Sequence, residues 1–424
     1  AVRKMGIPVF MGQRAENIEG ADLIVHTAAI MADNPELIAA KASNAPVLER
    51  SELLGIVTGW YDNAICVSGT HGKTTTTSMI TQILFTAGVD LSAFIGGKLP
   101  CIGGSGRAGK SDIMVCEACE FVDTFLKLYP DVAVILNIDE DHLDYFKNLE
   151  NIIKSFRKFS EMATKALIIN GDDANTLKAV DGITGKEFIT FGLDSKNDYY
   201  AADIKKISGM ETEYTLMYKG KALGKINLHV AGVHNILNSL AAAAASFYAN
   251  VSFESIQKGL SDFRGAGRRF ELIGKEKGIT IVDDYAHHPT ELSVTLKAAM
   301  DMGYNKVWAV FQPFTFSRTA ILLDDFAKAL SIPDNAVLTD IMGSREKNTY
   351  NIYTRNLAEK IDGCIYFPQD ENAEYTDERK YENFGQVCDY ICENANDGDL
   401  VITLGCGDVY KVAKMIYKKL KGQE

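Results

Sequence analysis

The short apolar run Ile65-Cys66-Val67 ends in Ser68-Gly69-Thr70-His71-Gly72-Lys73-Thr74-Thr75. Two glycines, a lysine and a row of threonines in that order suit a polyphosphate. Glycines let backbone N–H groups turn in on a phosphate, and a helix start adds partial positive charge. Lys73 would then reach the terminal phosphates of a nucleotide, and the Thr74 hydroxyl would bind Mg2+. The spacing departs from the full phosphate-loop pattern, because Val67 stands where a further glycine is expected. A turn with no ligand accounts poorly for the four threonines after Lys73, since threonine is a weak helix former.

Other groups able to do chemistry follow apolar runs in the same way. Residues 112–116 run into Glu117-Ala118-Cys119-Glu120, and residues 132–137 into Ile138-Asp139-Glu140-Asp141-His142-Leu143-Asp144. In open α/β sheets, ligands sit at the carboxyl ends of strands. Lys73-Thr74, Glu117 and His142 are therefore expected at one sheet edge, the last two as ligands for Mg2+. The plainer alternatives are an exposed turn carboxylate and a histidine beside a helix cap. Cys116-x-x-Cys119 has a redox or zinc spacing, but no second pair lies nearby. Asn235 and Asn238, at i and i+3, share one helix face and could meet an adenine edge; asparagine is also common at helix caps. Gly265-Ala266-Gly267 precedes Arg268-Arg269, which is either surface charge or a hinge bringing an arginine to phosphate. Asp283-Asp284-Tyr285-Ala286-His287-His288-Pro289 follows another apolar run. Its adjacent histidines point apart, so a substrate or nucleotide role suits them better than zinc.

The elements that must position these groups alternate in type. At 424 residues the chain should hold about two or three domains. Residues 1 to about 58 read as the latter part of a βαβ unit, with apolar runs at 6–10, 21–27 and 45–48 and a polar helix at 34–41; no Gly-x-Gly-x-x-Gly occurs there. Residues 146–165 suggest an amphipathic helix, 166–170 a strand, and 186–230 a β-rich stretch. Runs at 280–282, 306–312, 337–341 and 399–404, separated by helical segments, predict a second doubly wound sheet. The net charge of 44 − 56 = −12 argues against a nucleic-acid surface. No apolar run approaches the ~18 residues of a membrane span, so no membrane insertion is expected. Eight scattered cysteines point to reduced thiols and a cytoplasmic location. The first residue is alanine rather than methionine, and the start of the chain is expected to be missing.

Taken in order, Gly69-Thr70-His71-Gly72-Lys73-Thr74-Thr75, the Asn137–Asp144 run, His234-Asn235-x-x-Asn238, Gly267-Arg268-Arg269-Phe270-Glu271 and Asp283-Asp284-Tyr285-Ala286-His287-His288-Pro289 resemble the Mur ligases over essentially the whole chain. The Asp-Asp-Tyr-x-His-His-Pro and Gly-Arg-Arg-Phe pairing is the most specific part. The resemblance implies a three-domain α/β architecture: an incomplete Rossmann-like part on the UDP-sugar side (1–58), a central ATP-binding domain of P-loop type with a mostly parallel sheet and a small β subdomain (59–270), and a Rossmann-like C-terminal domain (271–424). It implies an ATP-dependent amide ligase of cytoplasmic peptidoglycan precursor synthesis. The carboxylate of UDP-N-acetylmuramate would attack the γ-phosphate, and the amine of L-alanine would attack the resulting acyl phosphate.

By the same resemblance, Gly69, Thr70, His71, Gly72, Lys73, Thr74 and Thr75 would hold the nucleotide, with Lys73 at the β- and γ-phosphates. Thr74 and Glu117 would bind one Mg2+ (or Mn2+) and His142 a second. Arg269 would meet the γ-phosphate, Asn235 and Asn238 the adenine, and Asp284 the ribose. Tyr285, His287 and Arg318 would sit near the alanine, with Arg318 pairing its carboxylate. Two departures stand out. Phe314-Thr315 replaces a frequent His-Arg and so removes a candidate cation, and the family's amino-terminal Gly-rich turn is not in this sequence. Arg157-Lys158 lie near the place where some relatives use a carbamoylated lysine, a role not assigned to them. A sibling ligase for another amino acid or a recycled peptide, a P-loop kinase or NTPase, and a nucleotide-sensing binding protein remain as alternatives, and a monomer or dimer is expected.

Overall fold

A computed structural model describes residues 2–28, 30–207, 211–230, 232–344, 346–369 and 382–423. The chain forms two compact units. One holds Ala1–Lys73, Asp90–Phe94 and Ala108–Phe191; the other holds Thr74–Val89, Ile95–Arg107 and Gly192–Glu424. The chain thus passes from the first to the second between Lys73 and Thr74.

In the first unit, strands Ile24–His26 and Val47–Glu49 pair in parallel across helix Pro35–Ala42, as a βαβ reading requires. The apolar run 6–10 is not a strand. It follows the single 3-10 turn Val2–Met5, and Ile7, Val9 and Phe10 lie exposed. Short apolar runs need a partner strand to become strands, and this one has none among the described residues.

The main sheet of this unit is parallel. Its strands Asn63–Ser68, Ile113–Glu117 and Val132–Ile135 are flanked by Ala166–Asn170 and then Glu187–Gly192 on one side and by Ser92–Leu99 on the other. Asn63–Ser68 lies between Ile113–Glu117 and Val132–Ile135. Strands covered on both faces read as continuous apolar runs, and Ala64 to Val67 and Val132 to Ile135 are buried without a break. Helix Leu149–Met162 covers one face with Ile152, Ile153, Phe156 and Phe159, and its first turn is capped by the Asn148 side chain. Phe125 stacks on Phe159 at 4.7 Å and meets Phe156 edge-on. The polar turns after residues 68, 117 and 135 leave three adjacent strands at the same end.

In the second unit, Tyr199–Lys206, Thr212–Tyr218 and Lys221–Leu228 form an antiparallel meander, the β-rich stretch of the sequence. Helix Val233–Tyr248 is tied to it by the buried Tyr214–Ser239 hydroxyl pair at 2.7 Å. A six-stranded sheet follows in the order Glu271–Glu276, Ile279–Asp284, Leu400–Leu404, Val307–Phe311, Asn335–Leu338 and Ile365–Tyr366. The first strand is antiparallel and the rest are parallel. Apolar cores lie on both faces. The ends at Asp284, Leu404 and Phe311 are neighbours, so the turns after them face one another. No helix among the described residues is long and apolar enough to cross a membrane.

Candidate functional site

The first unit builds a cradle from three strand-end turns. Gly69 has φ 146°, and a Cβ there would lie 2.9 Å from the Leu136 Cβ and 3.2 Å from the Asn137 nitrogen. Only glycine lets the loop lie so close to the next turn. Thr70 N–H donates to the Asn137 carbonyl at 3.0 Å. The Asn137 side chain accepts from His71 N–H at 2.8 Å and donates to the His71 carbonyl at 3.1 Å. Asp139 N–H donates to the Thr70 hydroxyl at 2.9 Å. The loop is therefore zipped to its neighbour before any ligand arrives.

Lys73 opens helix Lys73–Thr86. Its ammonium turns back on the loop, donating to the Gly69 carbonyl at 2.6 Å and the Thr70 carbonyl at 3.1 Å. It also lies 2.8 Å from Oε2 and 2.9 Å from Oε1 of Glu120. Burial works against the charged ammonium, but Glu120, with Cys119 and Glu117 beyond it, prevails and holds the Lys73 pKa above its ordinary value. Glu120 is 2% exposed. It lies in the Glu117-Ala118-Cys119-Glu120 motif, whose expected metal ligand, Glu117, is the half-buried end of strand Ile113–Glu117.

Glu120, Asp141 and His142 offer two carboxylate oxygens and an imidazole nitrogen, all within 4.8 Å of one another. His142 sits at φ 51°, its N–H donating to Asp141 Oδ1 at 2.7 Å and its ring 4.5 Å from that of Phe121. Hard oxygen donors of this kind fit Mg2+, and the imidazole suits Mn2+ as well. The group that could hold a cation thus joins His142 to Glu120 and Asp141, where the motifs point to Thr74, Glu117 and His142. Cys116 and Cys119 do not form a thiol site: Cys116 is buried in the sheet opposite Cys66 and Cys119 is exposed.

In the second unit, Thr74 is buried, and Gly97 makes room for it: a Cβ at Gly97 would meet the Thr74 Cγ2 at 3.1 Å and the Gly267 carbonyl at 3.4 Å. Thr76, Thr77 and Thr81 are also buried, and Thr81 donates to the Thr77 carbonyl at 2.8 Å. The threonine run is thus a packed helix interior as well as a candidate phosphate grip. Asn235 and Asn238 share a face as expected and bond to each other at 3.1 Å.

The two arginines of the Gly-Arg-Arg turn part company. Arg268 has φ 63°. Its Nε lies 3.0 Å from Oδ2 of the buried Asp283, and its guanidinium also donates to the carbonyls of Gly405, Cys406 and Gly407. The rings of Tyr285 and Tyr410 lie 5.0 and 4.8 Å from its Cζ. Arg268 is consumed in tying two strand ends together. Arg269 stands over Tyr285 at 5.4 Å and has no carboxylate at ion-pair distance among the described residues. Arg318, from helix Phe316–Ile321, likewise has no ion pair there, and its Nη1 is buried without a partner. Buried donors of this kind call for an acceptor.

Asp284 accepts from Phe270 N–H at 2.7 Å and Ala286 N–H at 2.8 Å, so it clamps the turn and keeps further lone pairs for a ligand. Burial raises its pKa and Arg269 opposes that. Tyr285 and His287 complete the group, their rings edge to face at 5.3 Å. Burial lowers the His287 pKa. The structure thus gathers Arg269, Asp284, Tyr285, His287 and Arg318 around one set of strand ends.

Three Mur ligase domain descriptions match in order: the Mur ligase family catalytic domain over residues 1–59, the Mur ligase middle domain over 67–246, and the Mur ligase glutamate ligase domain over 268–407. UDP-N-acetylmuramate–L-alanine ligase of Acetivibrio thermocellus is 44% identical, with 98% of this chain and 87% of that protein covered. The protein of the same name from Caldanaerobacter subterraneus subsp. tengcongensis is 40% identical, with 99% and 89% covered. The crystal structure of UDP-N-acetylmuramate-alanine ligase from Thermotoga maritima is 25% identical and superposes with a TM-score of 0.79, covering 99% of this chain and 90% of that one. Three consecutive domain matches, the likeness in fold and identity sustained from end to end agree with the motifs and the cradle they build: the chain belongs to the Mur ligase family.

Proposed function

We propose that this protein is an ATP-dependent ligase that joins L-alanine to the lactyl carboxylate of UDP-N-acetylmuramate through an acyl phosphate, in peptidoglycan precursor synthesis. The observation that carries the reading is the gathering of a phosphate-loop lysine with two carboxylates and an imidazole on adjacent strand ends. Such a set handles a metal-bound triphosphate, and the names of the relatives supply the acceptor and the amino acid.

The roles follow from charge. Loop N–H groups from Gly69 to Thr75 orient the phosphates, and Lys73 neutralises the β- and γ-oxygens. Thr74, Glu117 and His142, with Glu120 and Asp141 added, are the groups that would hold Mg2+ or Mn2+. When bound, such cations offset the repulsion between an attacking carboxylate and the triphosphate. Asn235 and Asn238 recognise adenine, and Asp284 the ribose. Arg269 is the cation for the transferred phosphoryl group. Arg318 pairs the carboxylate of alanine, and Tyr285 and His287 line its amine side.

With UDP-N-acetylmuramate and Mg-ATP, phosphate release is expected to depend on L-alanine far more than on glycine or L-serine. Equal release with every amino acid, or none with any, overturns the reading.

A further inference from the structure

An amino acid arrives at neutral pH as an ammonium, which cannot attack a carbonyl. Some group must take a proton from it first. The His287 ring has the geometry for this, and the argument rests on the ligase reading above.

The Nδ1 of His287 lies 3.0 Å from the Tyr285 carbonyl oxygen. A carbonyl only accepts, so in the neutral ring Nδ1 carries the hydrogen. The lone pair is then on Nε2, and Nε2 has no protein partner among the described residues. The ring is held from its own helix start. Glu291 Oε2 accepts from His287 N–H at 3.0 Å and His288 N–H at 3.2 Å, and lies 3.4 Å from Nδ1. That carboxylate is placed to stabilise an imidazolium once one forms, in the manner of a base backed by an acid.

We infer that His287 is the general base of the second half-reaction, accepting at Nε2 a proton from the ammonium of the incoming amino acid. The charged groups facing the ring are Glu291 on its own helix, Arg318 on helix Phe316–Ile321 and Arg269 on the turn before strand Glu271–Glu276. Burial disfavours the charged ring; Glu291 opposes this, and the two arginines reinforce it, so His287 stays neutral and ready to accept. The same arginine charges disfavour an ammonium held there. The unpartnered Arg318 Nη1 offers the carboxylate of the same small molecule a place to dock.

The balance is complete. His287 takes one proton from nitrogen, the C–N bond forms, and the carbon–oxygen bond to phosphate breaks. The nitrogen loses a second proton to the departing phosphate, which leaves as HPO4(2−). Imidazolium then returns its proton to water.

Hydroxylamine separates this role from the earlier steps, because it is already a neutral nucleophile at pH 7 and captures an acyl phosphate as a hydroxamate. In His287→Gln, hydroxamate formation from UDP-N-acetylmuramate and Mg-ATP is expected at the wild-type rate. Alanine amide formation at pH 7 is expected to fall about 100- to 10,000-fold. His287→Asn keeps a donor toward the Tyr285 carbonyl but no base, and is expected to match His287→Gln. Recovery of amide formation in His287→Asn overturns the assignment, as does equal loss of hydroxamate and amide in both variants with unchanged thermal midpoints. A wild-type enzyme that yields neither product overturns the ligase reading itself, and this one with it.

Discussion

Arg268 and Arg269 are chain neighbours with opposite tasks. Arg268 neutralises a buried carboxylate and satisfies three carbonyls, whereas Arg269 is left with a tyrosine face and no carboxylate at ion-pair distance among the described residues. Arg268→Ala is expected to cost about 3–5 kcal/mol at pH 7.5, because it strands a buried charge. Arg269→Ala should leave urea unfolding nearly unchanged while kcat falls. Burial raises the Asp283 pKa to about 6, against the aid of Thr403 and Arg268. With the folded pKa above the unfolded one, the Asp283 contribution is fully present below about pH 4 and is lost as pH rises through about 6. Losing Arg268 pushes the carboxyl higher still, so the Arg268→Ala deficit should shrink when urea unfolding is repeated at pH 5. Chain order alone could not separate these two residues, since the difference lies in a left-handed backbone at position 268 and in carbonyls from residues 405–407. Glu120 was hidden for a related reason. Its carboxylate is paired with Lys73, 47 residues earlier in the chain, which strand-end reasoning does not anticipate.

At the scale of elements, the phosphate loop and the turn after strand Val132–Ile135 act as one piece through Asn137. Asn137→Ala removes both side-chain bonds to His71, each worth about 0.5–1.5 kcal/mol. The expected result is a raised KM for ATP with the sheet intact, read from initial rates and far-UV circular dichroism. Much at this scale was legible beforehand. Parallel strands covered on both faces announce themselves as apolar runs, and their polar ends mark the ligand edge. Residues 6–10 misled because five apolar-rich residues with no strand beside them have nothing to pair with. The threonines after Lys73 have a packing reason that the sequence does not show. Weak helix propensity is overridden when β-branched side chains fill a tight interior, as Thr76, Thr77 and Thr81 do.

For the whole molecule, ligand linkage gives a measurable expectation. Mg-ATP at a hundredfold excess over its Kd should stabilise the portion that binds it by about 2.7 kcal/mol. In a protein of two compact units, unfolding need not be a single transition. Differential scanning calorimetry should therefore show an upward shift in the transition that carries the loop, and EDTA should remove most of it. The charge of −12 adds a constraint. On the proposed reading, anionic substrates would approach a molecule that repels them at long range and would depend on local cations and the bound metal for attraction, so activity should tolerate added salt better than it tolerates chelation.

Lys73 begins with its hydrogens already given to Gly69, Thr70 and Glu120. On the proposed reading, a triphosphate entering the cradle would compete with those partners for the ammonium. Once the terminal phosphoryl group had been passed on, the remaining diphosphate would have less charge with which to keep it. On the proposed ligase reading, Glu120 would then reclaim the lysine and help to clear the cradle for the next turnover.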